Sequence, residues 1–425
     1  MERLPGFRDF YPEPLPEAEA WSAELRRFLF EAWRGVARRY GFREYDAPPL
    51  EPLELFTLKS GAEIAGQLYS FADKGGREVA LRPEITPSLA RLVAARERHY
   101  KKPIKWFAIP QLFRYERQQK GRLREHFQFN ADLVGENDPA ADAELVALLI
   151  DSLRAVGLTA QDFVVRLSSR QAWQEFYTHR GAEPARALDF FQVVDKLERE
   201  SPEASDAKLK TLGFTLEEVR AFIAAAQPTA DLTRILHNLS ARGLSDYTRV
   251  DYTIVRGLAY YTGTVFEAHD RRGEFRAIAG GGRYDNLLKL ISGGKTDLPA
   301  IGFGMGDVVL AELLAARNLR PKFEAGTDAY CVIDDETLRD DSLRLVQDLR
   351  NSGLAVEYAL TSTSADKQLK RALELGVAHT FKLERLGTGK LLARLRVLAT
   401  RSERTMLAAD LAAALHVDPA AAPQS

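Results

Sequence analysis

The chain has 425 residues, of which 45% are hydrophobic and 28% are charged, a balance typical of a globular protein in water. It is too long for one hydrophobic core, so two or three domains are expected. Its 59 lysines and arginines against 60 aspartates and glutamates exclude a strongly basic protein, although a local basic patch could still bind phosphate groups.

Cysteine content and hydropathy exclude further classes. The single cysteine, Cys331, excludes an intramolecular disulfide and a cysteine-ligated zinc site. The first residues, MERLPGFRDFYPEPLPEAEAW, lack the apolar core of a signal peptide, and no run approaches the roughly 18 apolar residues of a membrane span. We therefore expect a cytoplasmic protein without a membrane segment.

The first predicted element is a helix over residues 17–40. Its apolar residues recur at helical spacing, and Gly41 follows where a left-handed cap is favoured. Pro48 and Pro49, in FREYDAPPLEPLELF, then exclude a helix and predict an extended segment.

Two strands and a further helix come next. The stretches PIKWFAIPQLFRYE and REHFQFNADLVG each predict a strand, and residues 117–124 form a hairpin loop between them. Asp138 as N-cap and Pro139 in the first turn predict a helix that Gly157 closes.

The remaining chain suggests an insertion and a second domain. Residues 170–245 are charged and helical in pattern, which predicts an inserted helical unit. Strand patterns return at RVDYTIVRGLAYYTGTVFEAHD and EFRAIAGGGRYDNLL, before a linker at 316–327. A β-α-β-α-β-β series follows. The predicted domains are 1–320 and 326–418, with a loose tail at 419–425.

The strand at 125–134 alternates between apolar and polar side chains. One face carries Phe127, Phe129, Ala131 and Leu133, and the other carries His126, Gln128, Asn130 and Asp132. Arg114 and Glu116 share a face of the preceding strand. A paired polar face beneath a basic loop would suit an anionic ligand, because arginine binds phosphate through planar bidentate contacts. A solvated sheet face with a charged hairpin is the alternative.

Three further stretches suggest close contact with a ligand. In VRGLAYYTGTVFE, Arg256 precedes Tyr260 and Tyr261, although a core strand would give the same pattern. The glycines of AGGGRYD add no packing, so they indicate a close backbone approach or a plain turn. GFGMG is similar and precedes the apolar helix DVVLAELLAA. No Walker-type lysine loop occurs.

Taken in order, these stretches make the chain similar to class II histidyl-tRNA synthetases over essentially its full length. Pro48 resembles the proline of class II motif 1, which lies at the family's dimer interface. FRYERQQKGRLREHFQF resembles motif 2, and LRPEITPSLAR, RGLAYYTGTVFE and GGGRYD resemble the histidine-specific segments. Each stretch alone is weak, whereas all of them in this order are specific.

The resemblance implies an α+β fold: a catalytic domain on a class II antiparallel sheet with a helical insertion, then a small α/β domain of the anticodon-binding type. It implies a homodimer that activates L-histidine with ATP and transfers it to the 3′ end of tRNA(His). Mg²⁺ would be held mainly by the ATP phosphates, without a metal site in the protein.

The resemblance also implies a role for particular residues. Arg114 and Arg256 would be catalytic. The histidine-binding set would be Glu84, Ile85, Thr86, Arg114, Gln128, Asp132, Arg256, Tyr260 and Tyr261. The ATP-binding set would be Arg114, Glu116, Arg122 and Arg283, and the tRNA-binding set Arg117, Arg122 and Arg124.

Three positions depart from the family pattern. Asp132 stands where a glutamate is usual, Ala259 where an aspartate is common, and Val309 where motif 3 carries an arginine that meets the far end of ATP. Val309 favours an alternative, a catalytically silent paralogue such as the regulatory subunit of ATP phosphoribosyltransferase. The C-terminal domain argues against that alternative. A general nucleotide-binding α/β protein would explain the arginines but not the other stretches together.

Overall fold

A computed structural model describes residues 2–15, 21–58, 66–115, 123–180, 183–197, 200–255, 261–323 and 326–417. The chain divides into two compact units, Met1–Phe10 with Glu19–Pro321, and Tyr11–Ala18 with Lys322–Ser425. Within the described ranges, none of the helices combines the length and the apolar character needed to cross a bilayer.

Most of the strands that precede the linker form one large and mainly antiparallel sheet. In chain order they are β1 (Phe10–Tyr11), β2 (Trp21–Ser22), β3 (Arg43–Glu44), β4 (Leu50–Pro52), β5 (Ser70–Ala72), β6 (Glu78–Leu81), β7 (Ile104–Ala108), β8 (Gln111–Phe113), β9 (Glu125–Val134), β10 (Phe163–Ser169), β11 (Thr248–Val250), β12 (Thr264–Asp270), β13 (Ala279–Arg283) and β14 (Ala300–Gly306). The sheet order is β11-β10-β12-β13-β14-β9-β7-β3, with β8 also on β9. A separate small sheet has the order β4-β6-β5, while β1 and β2 pair with each other in a further sheet.

The helices of this unit include one long amphipathic helix near the start and a series across the predicted insertion. They are α1 (Ala23–Arg39), α2 (Thr86–Arg96), α3 (Pro139–Arg154), α4 (Arg170–Thr178), α5 (Ala187–Asp195), α6 (Pro202–Lys210), α7 (Leu216–Ala225), α8 (Ala230–Ala241), α9 (Leu287–Ile291) and α10 (Asp307–Ala316). The described part of 170–245 is thus helical, as its charged pattern predicted.

Helix α1 begins at Ala23 and is therefore shorter than the helix predicted over residues 17–40. Ser22 caps it, since its hydroxyl accepts a hydrogen bond from the Leu25 amide at 3.0 Å. The other end matches the prediction, because Gly41 has φ +77° directly after the C-cap. Trp33 and Leu29 on the inner face are completely buried.

The predicted pairing of the two strands around residues 103–135 is confirmed. Both β7 and β8 pair antiparallel with β9 in one continuous register, from Ile104 opposite Val134 to Phe113 opposite Glu125. Pro110 interrupts the partner strand because it has no amide hydrogen to donate. Its carbonyl still accepts from the Gln128 amide at 3.1 Å, so the hairpin stays aligned.

One part of the predicted extended segment is instead helical. Residues 53–58 form helix directly after β4. Leu55 and Phe56 on that helix are buried against Leu68 and Ala80. Pro48 and Pro49 lie outside the helix, as expected for proline. Only the length of the predicted extended segment was too great.

The second unit is a small α/β domain. Its elements are β15 (Ala329–Cys331), α11 (Arg339–Asn351), β16 (Val356–Tyr358), α12 (Ala365–Glu374), β17 (His379–Arg385), β18 (Leu391–Val397), β19 (Glu403–Leu407) and α13 (Leu411–Val417). The sheet order is β16-β15-β17-β18-β19, parallel across β15 and antiparallel from β17 onwards. The predicted series is confirmed up to β18. The largely exposed β19 and the helix α13 were not predicted, and the tail from 418 lies outside the described residues.

Candidate active site

A cleft of about 320 Å³ opens on one face of the large sheet. It is bordered by β9, β13 and β14, by the start of α2 and by the first turn of α10. Among its lining residues are Glu84, Thr86, Arg114, Gln128, Asp132, Tyr261, Arg276, Tyr284 and Val309. The structure therefore gathers six residues of the predicted site in one cavity, from Glu84 to Tyr261.

Strand β9 presents its polar face to this cleft. Its polar side chains there are His126, Gln128, Asn130 and Asp132. On the opposite face Phe129 and Ala131 are completely buried, and the Phe129 ring stacks on Trp33 with centroids 5.7 Å apart. The predicted two-faced strand is confirmed, and the solvated-face alternative is wrong for this strand.

Glycines on β14 make the space for these side chains. A Cβ at Gly302 would overlap the Asp132 carboxylate, and a Cβ at Gly304 would lie 2.6 Å from the Gln128 amide carbon. Real Cβ atoms do not come so close to carbonyl or carboxyl groups. The glycines of GFGMG are therefore needed for space at these two positions and not for a turn.

Asp132 is held in one orientation by Tyr284. The Tyr284 hydroxyl donates to Asp132 Oδ1 at 2.5 Å, and both residues are almost fully buried. Burial raises the pKa of Tyr45 well above its usual value, and the negative charge of nearby Asp132 raises it further. The Asp132 carboxylate therefore lies close to two tyrosines, one of which donates to it. Tyr284 was missed from the sequence, although it belongs to the quoted GGGRYD stretch.

Glu84 and Thr86 reach the cleft at the beginning of α2, and a buried arginine fixes their segment. Arg82 Nη1 donates to the Ala47 carbonyl at 2.5 Å, and Nε donates to the Gln111 carbonyl at 3.0 Å. These bonds join the loop that carries Glu84 to two neighbouring backbone segments. The loop is thus preorganised before any ligand binds.

Ile85, which was predicted to bind histidine, has its side chain elsewhere. It is completely buried in an apolar cluster with Ala47 and Ala108. An isoleucine between two polar neighbours on this helical turn points into the core, so the predicted role of Ile85 falls to its backbone and stays a prediction. Only the backbone of Ile85 can meet a ligand.

Arg114 lines the cleft and is oriented by the same loop. Its Nε donates to the Pro83 carbonyl at 3.0 Å, next to Glu84 in the chain. Its backbone amide donates to the Arg124 carbonyl at 2.9 Å, which ties it to the other arm of the hairpin. A guanidinium held in this way provides a fixed positive charge in the cleft.

Arg124, predicted to contact tRNA, packs close to the base of the hairpin loop. Its guanidinium lies over the Tyr115 ring, 4.2 Å from the centroid, as in a cation–π contact. Its amide donates to the Gly6 carbonyl at 2.9 Å. Gly6 has φ +87°, and a Cβ there would lie 2.7 Å from Arg124 Cγ, so only glycine fits beneath this side chain.

Arg283, predicted to bind ATP, lies outside the described lining of the cleft. It forms a buried ion pair with Asp142, and its Nη1 donates to the Glu136 carbonyl at 3.0 Å. Burial opposes the charge, but Asp142 outweighs that effect and raises the pKa of Arg283. This position disfavours the predicted contact of Arg283 with ATP, because its guanidinium already joins β13 to α3.

A buried ion-pair network that was not predicted from the sequence joins the N-terminal segment to β9 and to α10. Arg8 Nε binds Glu125 at 2.6 Å, and Arg8 Nη1 binds Asp307 at 2.8 Å. Asp307 also accepts from the Phe127 amide at 3.0 Å. Burial opposes the charge on Arg8, but the two carboxylates raise its pKa overall. The network fixes the start of α10, and so the position of Val309, relative to β9.

Two more charged residues border the cleft without having been predicted. Glu267 on β12 is buried, and its Oε2 lies 2.8 Å from His269 Nε2. Arg276 lies in the loop between β12 and β13. Neither stands out in one sequence, since a charge in a loop or at a strand end is common.

Five predicted site residues lie outside the described part of the chain: Glu116, Arg117, Arg122, Arg256 and Tyr260. Their roles therefore stay predictions. Tyr261, the next residue, does line the cleft, and its ring packs against β13, where a Cβ at Gly282 would lie 3.1 Å from Tyr261 Cδ1.

Comparison with known proteins agrees with this geometry. A family model described as Histidyl-tRNA synthetase matches residues 6–306. The histidine–tRNA ligase of Opitutus terrae is 45% identical over 95% of both chains. The match thus extends through both units of the fold.

Solved structures show the same fold. The histidyl-tRNA synthetase of Nostoc sp. PCC 7120 superposes with a TM-score of 0.77, covers 96% of this chain and 97% of its own, and is 22% identical. A Bacillus halodurans structure described as an ATP phosphoribosyltransferase regulatory subunit/histidyl-tRNA synthetase gives 0.70 at 23% identity, with coverage of 87% and 96%. At such identities the likeness shows the α+β fold alone. The sequence relationship decides the family: this chain belongs to the histidyl-tRNA synthetases.

Proposed function

We propose that the protein is an active histidine–tRNA ligase. It joins L-histidine and ATP into histidyl-adenylate and then transfers the histidyl group to the 3′ end of tRNA(His). The observation that carries this proposal is the set of side chains that line one cleft. Arg114, a fixed cation, lies in the same cavity as the acids and amides that suit a small zwitterion.

Histidine is read at the Asp132 end of the cleft. The Asp132 carboxylate, oriented by Tyr284, accepts a hydrogen bond from the substrate, and Tyr261 packs beside the imidazole ring. Glu84 and Thr86 bind the ammonium group together with Gln128. A site whose buried polar groups need partners rejects an analogue that cannot supply them, and this gives selectivity beyond what shape alone provides.

The first chemical step joins two anions. A carboxylate oxygen of histidine attacks the α-phosphorus of ATP, the bond from that phosphorus to the bridging oxygen breaks, and pyrophosphate leaves. Arg114 and Arg256 neutralise the charge that gathers on the α-phosphate, while Glu116 contacts the adenine. Each preorganised charge of this kind lowers the activation barrier by on the order of 3–4 kcal/mol.

The second step uses the RNA. The terminal ribose hydroxyl of tRNA(His) attacks the carbonyl carbon of the adenylate, and AMP leaves. We assign the arginines of the hairpin, Arg117, Arg122 and Arg124, to the acceptor end of the tRNA. The predicted C-terminal domain, residues 326–418, binds the anticodon region.

Magnesium takes part as the complex with ATP. In this proposal the triphosphate oxygens provide the main ligands of the ion, because Mg²⁺ prefers phosphate and carboxylate oxygens. We further propose that the enzyme acts in the cytoplasm as a homodimer, with the segment around Pro48 in the interface.

Histidine-dependent exchange of label between pyrophosphate and ATP tests the proposal. We expect exchange with the wild type and a loss of roughly 10²–10³-fold in kcat for Arg114→Ala. Arg34→Ala is a matched control, since Arg34 is a surface arginine that pairs with Glu44 at 2.8 Å and does not line the cleft. Charging of tRNA(His) should be lost together with exchange. A folded wild type with no exchange at saturating substrates would refute the proposal.

A catalytically silent, histidine-binding paralogue is the second candidate, because Val309 stands where motif 3 carries arginine. It predicts that histidine binds in calorimetry while exchange and charging are both absent. The extensive similarity to curated ligases through both units favours the active enzyme.

A further inference from the structure

The proposed function leaves the far end of ATP without its usual cation. Val309 lies in the first turn of α10, lines the cleft and carries no charge. Asp307 in the same turn is already bound to Arg8 and to the Phe127 amide. The triphosphate of ATP is strongly anionic, so a cation is required near this turn.

The loop before β13 brings another arginine to the end of the cleft where α10 begins. Strands β13 and β14 pair with Ala279 opposite Met305 and Gly280 opposite Gly304. The pairing ends at Ala279 and Met305: Arg276 comes three residues before this end of β13, and Val308 comes three residues after Met305, in the first turn of α10. Arg276 and Val309 indeed both line the cleft.

Arg276 also lies at the correct end of the cleft. Asp132 pairs with Gly302, and Gln128 pairs with Gly306 at the other end of β14. At roughly 3.4 Å per residue, these four steps separate the histidine end from the α10 end by about 14 Å. An imidazole at Asp132 and an α-phosphate near Arg114 leave the outer phosphates beyond Gln128, towards Arg276.

The loop that carries Arg276 is anchored. Arg271 Nε donates to the Ala160 carbonyl at 2.6 Å, and the Glu274 amide donates to Asp270 at 2.9 Å. The Glu274 carboxylate binds Arg317 at 3.0 Å. These bonds hold the turn before Arg276 in place, while Arg276 itself is exposed at the edge of the cleft.

We propose that Arg276 provides the cation that α10 lacks: its guanidinium binds the β- and γ-phosphates of ATP and stabilises the departing pyrophosphate. Among the described residues that line the cleft, Arg114 and Arg276 are the arginines. Arg114 lies at the loop of Glu84, and Arg276 lies at the α10 end. A guanidinium suits this task because it can bind two phosphate oxygens in parallel. The assignment rests on the proposed ligase function.

Binding measurements test the assignment without relying on turnover. For Arg276→Ala, calorimetry should show ATP and pyrophosphate binding weakened about 10–100-fold, as for the loss of a charge-assisted contact. Binding of AMP and of histidine should stay unchanged, because neither ligand carries the outer phosphates. Arg272→Ala is the matched control, an exposed arginine of the same loop that is not among the described lining residues.

Kinetics and a second-site change sharpen the test. In pyrophosphate exchange, Arg276→Ala should raise the KM for ATP by about 10–100-fold and leave the KM for histidine unchanged. Adding Val309→Arg to that variant should recover at least tenfold of the loss, since it places a cation at another lining position of the same cleft.

The outcomes separate the two proposals. If Arg276→Ala binds ATP as Arg272→Ala does, or weakens AMP as much as ATP, the assignment of Arg276 is overturned while the ligase function stands. If the wild type shows no exchange, the ligase function fails, and the ATP-against-AMP comparison still decides whether Arg276 binds the outer phosphates.

Discussion

The two units of the chain bury different kinds of polar groups. Among the described residues, the first unit buries charges of both signs: Arg8, Glu51, Arg82, Glu125, Asp132, Asp142, Glu267, Asp270, Arg283 and Asp307. The second unit buries Ser342, Gln368, His379 and Thr380, with no aspartate, glutamate, lysine or arginine in its described part. Burying a charge costs several kcal/mol unless it is paired. Among the residues that the structure describes, that cost is found in the unit that contains the cleft, where side chains must keep fixed positions.

The strongest test of this comparison is Arg8→Met. It leaves Glu125 and Asp307 buried without their cation, so we expect the free energy of unfolding to fall by about 3–5 kcal/mol. Denaturant unfolding followed by fluorescence measures it. Arg3→Met is the control, because Arg3 is half exposed and 3.9 Å from Asp9, and it should change stability by less than about 0.5 kcal/mol. Equal losses in the two variants would show that the buried network is dispensable.

Gly302→Ala tests the cleft itself. The added Cβ would displace the Asp132 carboxylate and break its hydrogen bond from Tyr284. A hydrogen bond to a charged group is worth about 1.5–3 kcal/mol, so kcat/KM for histidine should fall by roughly 10–150-fold. Gly35→Ala in α1 meets nothing closer than 3.8 Å and should leave the kinetics unchanged. Unaltered histidine kinetics in Gly302→Ala would mean that Asp132 does not bind the substrate.

Gln368→Leu is the counterpart in the second unit. Gln368 donates to the Ile333 carbonyl at 2.7 Å and accepts from the Ile333 amide at 3.0 Å. Removing the amide leaves these buried groups unpaired and should cost about 1–3 kcal/mol in thermal or denaturant unfolding. Gln347→Leu, on the exposed face of α11, is the control and should stay within about 0.5 kcal/mol. A loss as large as that of Arg8→Met would break the contrast between the units.

The smallest expected effect concerns Cys331. Burial raises the pKa of this thiol to about 12, so it stays protonated between pH 7 and 9 in the folded unit. The thiolate is the reactive form, and an exposed thiol has a pKa near 8.5, so alkylation should be absent in native buffer and complete in denaturant. Rapid labelling of the native protein at pH 8 would show that this core is open.

Local rules predicted much of this molecule. The alternation along β9 predicted both of its faces, and Gly41 marked the end of α1. The stretch DVVLAELLAA predicted α10 to the residue, from Asp307 to Ala316. These features depend on neighbours a few positions apart, which one sequence contains.

The features that escaped prediction depend on distant partners. Arg8 and Asp307 are 299 residues apart in sequence, and nothing near either residue signals the other. Arg276 looks like any charged loop residue until the lining of the cleft is known. The ion pair of Arg283 could not be predicted for the same reason, since its partner Asp142 lies on α3. The sequence indicated that arginines would line the site, but only the fold decides which arginine lines the cleft.

Strand β14 has a consequence beyond the space that its glycines provide. Three of its seven residues are Gly302, Gly304 and Gly306, which disfavour a strand, yet it lies inside the large sheet between β9 and β13. Its order must therefore come from its two neighbours. Hydrogen–deuterium exchange at these glycine amides should be slow in the intact sheet and should accelerate sharply once either neighbour loosens, so they can report how rigid the substrate cleft is.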